Sequence, residues 1–198
     1  MFLAISAGTA VALGALGVFI ATRPSEFHVE RSTRIAAPPE RAYALVEDLH
    51  SWRAWSPWEN LDPAMQRTYS GAPTGTGAVY AWSSSGKAGA GRMTIQKSAA
   101  PSEIVIHLEY QKPFRGENTA TFTFTKVAGG TEAKWAADGK NDFIAKAIHV
   151  VVDFDGLLGA EFEKGLAAMK AAAEGTVKAT SRSSERGAEA GRVSGAFG

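Results

Sequence analysis

The stretch from Ile144 to Glu174 constrains this chain more than any other. Apolar residues recur at Ile144, Ile148, Val151, Leu158, Phe162, Leu166, Met169 and Ala173, in steps that keep them on one face of a 3.6-residue helix. Lys146, Glu161, Lys164, Lys170 and Glu174 occupy the opposite face. A helix of this kind is stable only when its stripe is covered, and alternating, strand-like segments precede it. The stripe lacks one tooth, at Asp155, beside Gly156 and one turn before Gly159. The sequence therefore predicts a break there, separating a short helix from a main one.

From Phe27 the chain alternates with period two through Ile35, which predicts a first strand. Ala37-Pro38-Pro39 stops it, and Pro39 with Glu40 starts a helix whose buried face is Ala42, Leu45, Val46 and Leu49. Six further strands are expected, over 65–70, 78–83, 92–97, 103–111, 117–127 and 131–139, separated by Gly-, Pro- and Ser-rich turns. Their short connections argue for an antiparallel sheet with one face on a core. Between the first helix and these strands, residues 51–63 hold three of the five tryptophans. Pro57 and Pro63 rule out a long regular element there. Such tryptophans either plug the end of a core or line a ligand cavity.

Residues 2–21 form an uncharged run of the length that crosses a bilayer as a helix. It lacks the positive n-region and the clean A-x-A site of a cleaved signal peptide, so an uncleaved single-pass anchor in the cell membrane is expected. Arg23, Arg31 and Arg34 follow the run and no basic side chain precedes it, which places the domain on the cytoplasmic side. The organisation read from the sequence is then a transmembrane helix over 2–21, a domain over 24–174 and a disordered tail over 175–198, where large apolar residues nearly vanish.

The formal net charge of +1, with charges interspersed, offers no basic field for nucleic acid, and none is expected as a partner. There is no cysteine, so disulfides, thiolate nucleophiles and cysteine-ligated metals are excluded. His28, His50, His107 and His149 fall in separate elements without ligand spacing, so no metal is expected. Gly75-Thr76-Gly77 and Gly89-Ala90-Gly91 sit between strands rather than in a βαβ unit, and are read as hairpin turns. No cofactor is expected.

The order strand, helix, tryptophan-rich segment, six strands and long helix resembles the helix-grip fold of the START-like (SRPBCC) superfamily. Particular stretches resemble its bacterial polyketide cyclase/dehydrase and lipid transport members: 27–32 with 35–40, 48–63 containing Trp55-Ser56-Pro57-Trp58, 112–118, 130–135 and 162–166. The resemblance covers 27–174. It implies an α+β helix-grip fold: a curved antiparallel sheet of about seven strands around a long C-terminal helix, with a cavity between them. It also implies a hydrophobic small molecule or lipid as partner, or cyclase-type chemistry, and no catalytic motif of the family can be carried over residue by residue; a third reading, a non-catalytic interaction module on the membrane, would show a filled interior and an exposed apolar patch instead.

Pocket walls are expected from Trp55, Tyr80, Trp82, Met93, Trp135 and Phe162, each of which could equally be core. His107 and Glu109 lie opposite the Ile104, Ile106, Leu108, Tyr110 set, and Asp138 follows Trp135 near a strand end. Facing a cavity, such a pair could polarise a carbonyl or move a proton. Facing away, they are the solvent side of an antiparallel strand.

Overall fold

The computed structural model describes residues 13–193, with side chains through Gly175. Its centre is one seven-stranded sheet in the order β1-β7-β6-β5-β4-β3-β2, every neighbouring pair antiparallel. The strands are β1 (Glu26–Ile35), β2 (Gln66–Gly71), β3 (Ala78–Ser83), β4 (Ala90–Ala99), β5 (Glu103–Lys112), β6 (Gly116–Val127) and β7 (Gly130–Lys140). Helix α1 (Pro39–Glu47) and a 3₁₀ turn over Leu49–Ala54 follow β1; α2 (Phe143–Val151) and α3 (Phe154–Val193) follow β7. All seven expected strands are present. Register shifts at Ala90/Gly91 and Ile95/Lys97 bend β4, which helps the sheet curl.

Alternation decides which face is covered. Ile104, Ile106, Ala120, Phe122, Phe124, Ala133 and Trp135 point to one side and are buried, and α3 lies on that side, along β1 and against α1. From α3, Phe162, Leu166, Met169 and Ala173 enter this core. Arg31 ties the start of α3 to β1, with Nη2 donating to Asp155 Oδ2 at 2.8 Å and Nε to Glu163 Oε1 at 3.2 Å.

The break in the helical stretch falls at Val152-Asp153, two residues before the position the glycines suggested. Asp153 explains the shift: its Oδ1 accepts from Gly156 N at 2.9 Å and caps α3, so the helix starts ahead of Gly156. Asp155, the missing tooth, is the residue that pairs with Arg31. A second expectation needs correction. The apolar stripe is not continuous, because the break turns α2 away from the sheet and leaves it with no buried residue. There Lys146 Nζ donates to Ala21 O at 3.2 Å and Ser25 Oγ at 2.9 Å.

The transmembrane helix expected over 2–21 is not shown. Residues 2–12 lie outside the described residues, 13–21 are helical, and no helix among the described residues is long and apolar enough to cross a membrane. At the other terminus the α3 backbone runs on to Val193, past the expected boundary at Glu174.

The Arg31 link makes the fold's acid response predictable. Asp155 has its carboxyl held below the ordinary 3.8, chiefly by the hydrogen bond from Arg31. As pH falls through that range the unfolded chain takes up a proton that the folded one resists, so stabilisation present above it is lost in acid. Asp155→Asn is expected to flatten the fall in urea midpoint between about pH 5 and pH 2 relative to the parent protein.

Candidate functional site

The covered face of the sheet is not filled along its whole length. Between β3–β7, the 55–65 segment and the first turns of α3 lies a cavity of ≈ 320 Å³, within the range of small-molecule sites. Its walls are mostly apolar: Trp58, Met93, Leu108, Ala120, Ala137 and Leu158 line it together with Trp52, Tyr80, Trp82, Trp135 and Phe162. The β3–β4 hairpin contributes Lys87 and Ala88 to the lining, and the β5–β6 hairpin contributes Lys112 and Pro113.

Each aromatic wall has a local reason for its position. Trp82 lies over Gly91 on the neighbouring strand, where a methyl would sit 2.5 Å from the indole ring; its Nε1 donates to Ala88 O at 3.0 Å. Trp135 stacks on Phe162 at 4.2 Å and 10°, and meets Trp58 edge-on at 5.3 Å. Trp52 donates from Nε1 to Val46 O at 3.1 Å, so the 3₁₀ turn that carries it is fastened to α1.

One wall is polar. Glu59, 6% exposed, accepts at Oε1 from the Tyr80 hydroxyl at 2.6 Å and at Oε2 from Arg67 Nε at 2.7 Å. Arg67 Nη2 also donates to the Glu59 carbonyl at 2.7 Å. Burial, then the bond to Glu59, pushes the Tyr80 hydroxyl well above its usual pKa and keeps it protonated. Arg67 is held charged by Glu59. Among the described residues, two buried polar atoms on the lining have no hydrogen-bond partner, Asn118 Oδ1 and Trp135 Nε1. The other end of the Asn118 amide, Nδ2, donates to the Tyr110 hydroxyl oxygen at 3.2 Å. Such atoms can pair with ordered water or with a polar group of a ligand.

Of the expected pocket walls, Tyr80, Trp82, Met93, Trp135 and Phe162 line the cavity. Trp55 does not. Its Nε1 donates to Leu45 O at 2.8 Å and its ring packs behind Trp135 at 5.5 Å, so it plugs the core. The polar candidates lie on the opposite face of the sheet. Glu109 bonds Arg92, Nη2 to Oε2 at 2.6 Å, and Asp138 pairs with His28 at 2.7 Å. His107 stands 3.8 Å from Glu117. None of the three meets the cavity, because strand alternation turns them outward. Among the described residues no group of histidine and carboxylate side chains could hold a metal ion.

Sequence reasoning missed Asn118 and Glu59. Asn118 was within reach, since the alternation through Phe124, Phe122 and Ala120 continues to it and makes it a polar residue on the core side. Glu59 lies in an irregular segment with no period to betray its direction.

The model of the polyketide cyclase/dehydrase and lipid transport family matches residues 26–174. The chain belongs to that family. Solved structures share the fold at low identity. The di-domain ARO/CYC StfQ from the steffimycin biosynthetic pathway is 14% identical with a TM-score of 0.58, over 78% of this chain and 52% of that one. The di-domain ARO/CYC BexL from the BE-7585A biosynthetic pathway is 18% identical with a TM-score of 0.55, over 86% and 58%. Protein MLL2253 from Mesorhizobium loti is 16% identical with a TM-score of 0.55, over 76% and 98%. No curated protein matches the sequence. Family membership and these shared structures account for the helix laid across the sheet.

Proposed function

We propose that this family member binds a hydrophobic small molecule or lipid in the cavity between its sheet and α3, at the cell membrane, to which residues 2–21 tether it from the cytoplasmic side. The observation that carries the reading is the cavity itself: ≈ 320 Å³ of space walled by tryptophan, methionine, leucine and alanine, with few polar groups. Binding rather than acid–base chemistry is favoured by the state of its carboxylate. Glu59 is the one carboxylate in the lining, and both its oxygens are engaged, by Tyr80 and Arg67. A cyclase or dehydratase needs a group free to take a proton, and His107, Glu109 and Asp138 are on the far face.

Filling the cavity tests the reading. Ala120 lines the cavity and is 5% exposed, so Ala120→Phe directs a ring at the cavity. The variant is expected to keep its thermal midpoint within a few degrees and to lose at least tenfold in affinity for apolar probes, measured by native mass spectrometry and by tryptophan quenching. Equal binding by parent and variant, or no apolar probe bound by the parent, sinks the proposal.

A further inference from the structure

The register of the sheet sorts its loops into two ends, and the exposed apolar side chains are not shared between them. Glu26 at the start of β1 pairs with Lys140 at the end of β7, Asn118 at the start of β6 with Gly139, and Tyr110 at the end of β5 with Gly116. Ala90 at the start of β4 lies beside Lys112 and Ser83, and Gln66 at the start of β2 beside Ser83. One end of the domain therefore gathers the β3–β4 and β5–β6 hairpins, the approach to β2, α2, the first turn of α3 and the helical segment that leads into β1.

All the large apolar side chains that stay exposed among the described residues belong to these segments. Phe114 at the tip of the β5–β6 hairpin is 73% exposed, Ile144 and Val151 of α2 are 64% and 83%, and Leu157 at the start of α3 is 62%. Phe19 and Leu61 add to the same end. Scattered exposed leucines need no explanation, whereas a patch confined to one end of a domain marks an interaction surface. Helix α2 is the clearest part: an apolar helix with no buried residue and a lysine, Lys146, turned back to the chain at Ala21 and Ser25.

We infer that this end of the domain docks into a lipid bilayer, with Phe114, Leu157 and the apolar side of α2 sunk below the headgroups. Two observations select lipid over a protein partner. The uncharged run of residues 2–21 joins the domain at this end, through Arg23 to β1, so the patch continues the most apolar part of the chain. The two hairpins at this end also reach the cavity, and carry the exposed Lys87 and Lys112 among its lining residues; lysines beside an apolar surface suit the headgroup layer. Docking in this orientation sets these hairpins, and the cavity they line, against the bilayer that would supply an apolar ligand. The orientation rests on the membrane tether of the proposed function and not on the occupancy of the cavity: the patch can dock whether or not the cavity holds a guest.

The natural absence of cysteine makes the test direct. Phe114→Cys, Val151→Cys and Leu157→Cys in the full chain are each labelled with an NBD fluorophore, and Ala128→Cys in the β6–β7 hairpin, at the other end of the sheet, serves as control. On reconstitution with phosphatidylcholine/phosphatidylglycerol vesicles, the three labels are expected to shift to the blue, brighten severalfold and be quenched by doxyl-labelled lipid, while the label at 128 stays aqueous. Vesicle-bound protein with all four labels aqueous overturns the docking and leaves the tether standing. Labels at 114, 151 and 157 shielded before vesicles are added, and unchanged afterwards, show that the chain or a second copy covers the patch, and overturn it as well. A loss of apolar-probe binding with the vesicle result intact would touch only the cavity reading.

Discussion

Arg67→Met is expected to destabilise the protein by about 3 kcal/mol or more, the cost of stranding a buried carboxylate. Glu59 and Arg67 have side chains only 5% and 13% exposed, and Glu59 has no other cationic partner within salt-bridge distance among the described residues. Tyr80 can still donate to Oε1, but a neutral hydroxyl does not replace a guanidinium that fastens both the carboxylate and the Glu59 carbonyl. The urea midpoint should fall with an unchanged slope, and the thermal midpoint by roughly 6–12 °C for a domain of this size. Removing both charges, in Glu59→Met/Arg67→Met, should recover part of the loss, because no charge is left stranded, while the Tyr80 hydroxyl and the Glu59 and Met65 carbonyls lose their partners. A single-variant cost under about 1 kcal/mol would mean that water reaches Glu59 and that the 55–65 wall is not closed.

Phe162→Ala is expected to cost about 3–5 kcal/mol. Phe162 is 3% exposed, stacks on Trp135 and meets Trp58 edge-on at 6.2 Å, so it is at once the seat of α3 on the sheet and a wall of the cavity. Its loss removes buried area and joins new space to an existing hollow that will not collapse to fill it. Two readouts should move together: stability falls in chemical denaturation, and the largest apolar probe retained in native mass spectrometry grows. If stability falls while probe size does not, the helix has settled onto Trp135 and closed the gap. A cost under about 1.5 kcal/mol would show that α3 is held elsewhere, by Arg31 and by Leu166 and Met169.

How far the sequence led depends on which physical signal each part carries. The strands were legible because one face is covered and the other wet, and that asymmetry writes a period of two into β5 and β6. Strand alternation and, for Phe162, the helical stripe put Tyr80, Trp82, Met93, Trp135 and Phe162 among the wall candidates, but neither period could say whether those side chains meet one another or leave a gap, which is set by the depth of α3. For His107 and Glu109 alternation gave two faces; only the helix, lying on the Ile104 and Ile106 side, decided which was inner. The 55–65 segment carries no period at all. Trp55 and Trp58, three residues apart, look equivalent in sequence, yet one is bonded to Leu45 behind the wall and the other is the wall. Composition misled at one place: the glycines at 156 and 159 suggested the break, whereas the capping carboxylate of Asp153 fixed it.

The helix comes closest to Trp135 at Gly165. A methyl group at Gly165 would stand 2.8 Å from Cζ3 of Trp135 and 3.1 Å from Pro57; with hydrogen there, backbone rests almost directly on the indole. Residue 165 is thus the shim of the assembly. Thickening it would lift the rod from its bed and tilt the roof above the guest, so the capacity of the chamber can be retuned from a site that touches no ligand.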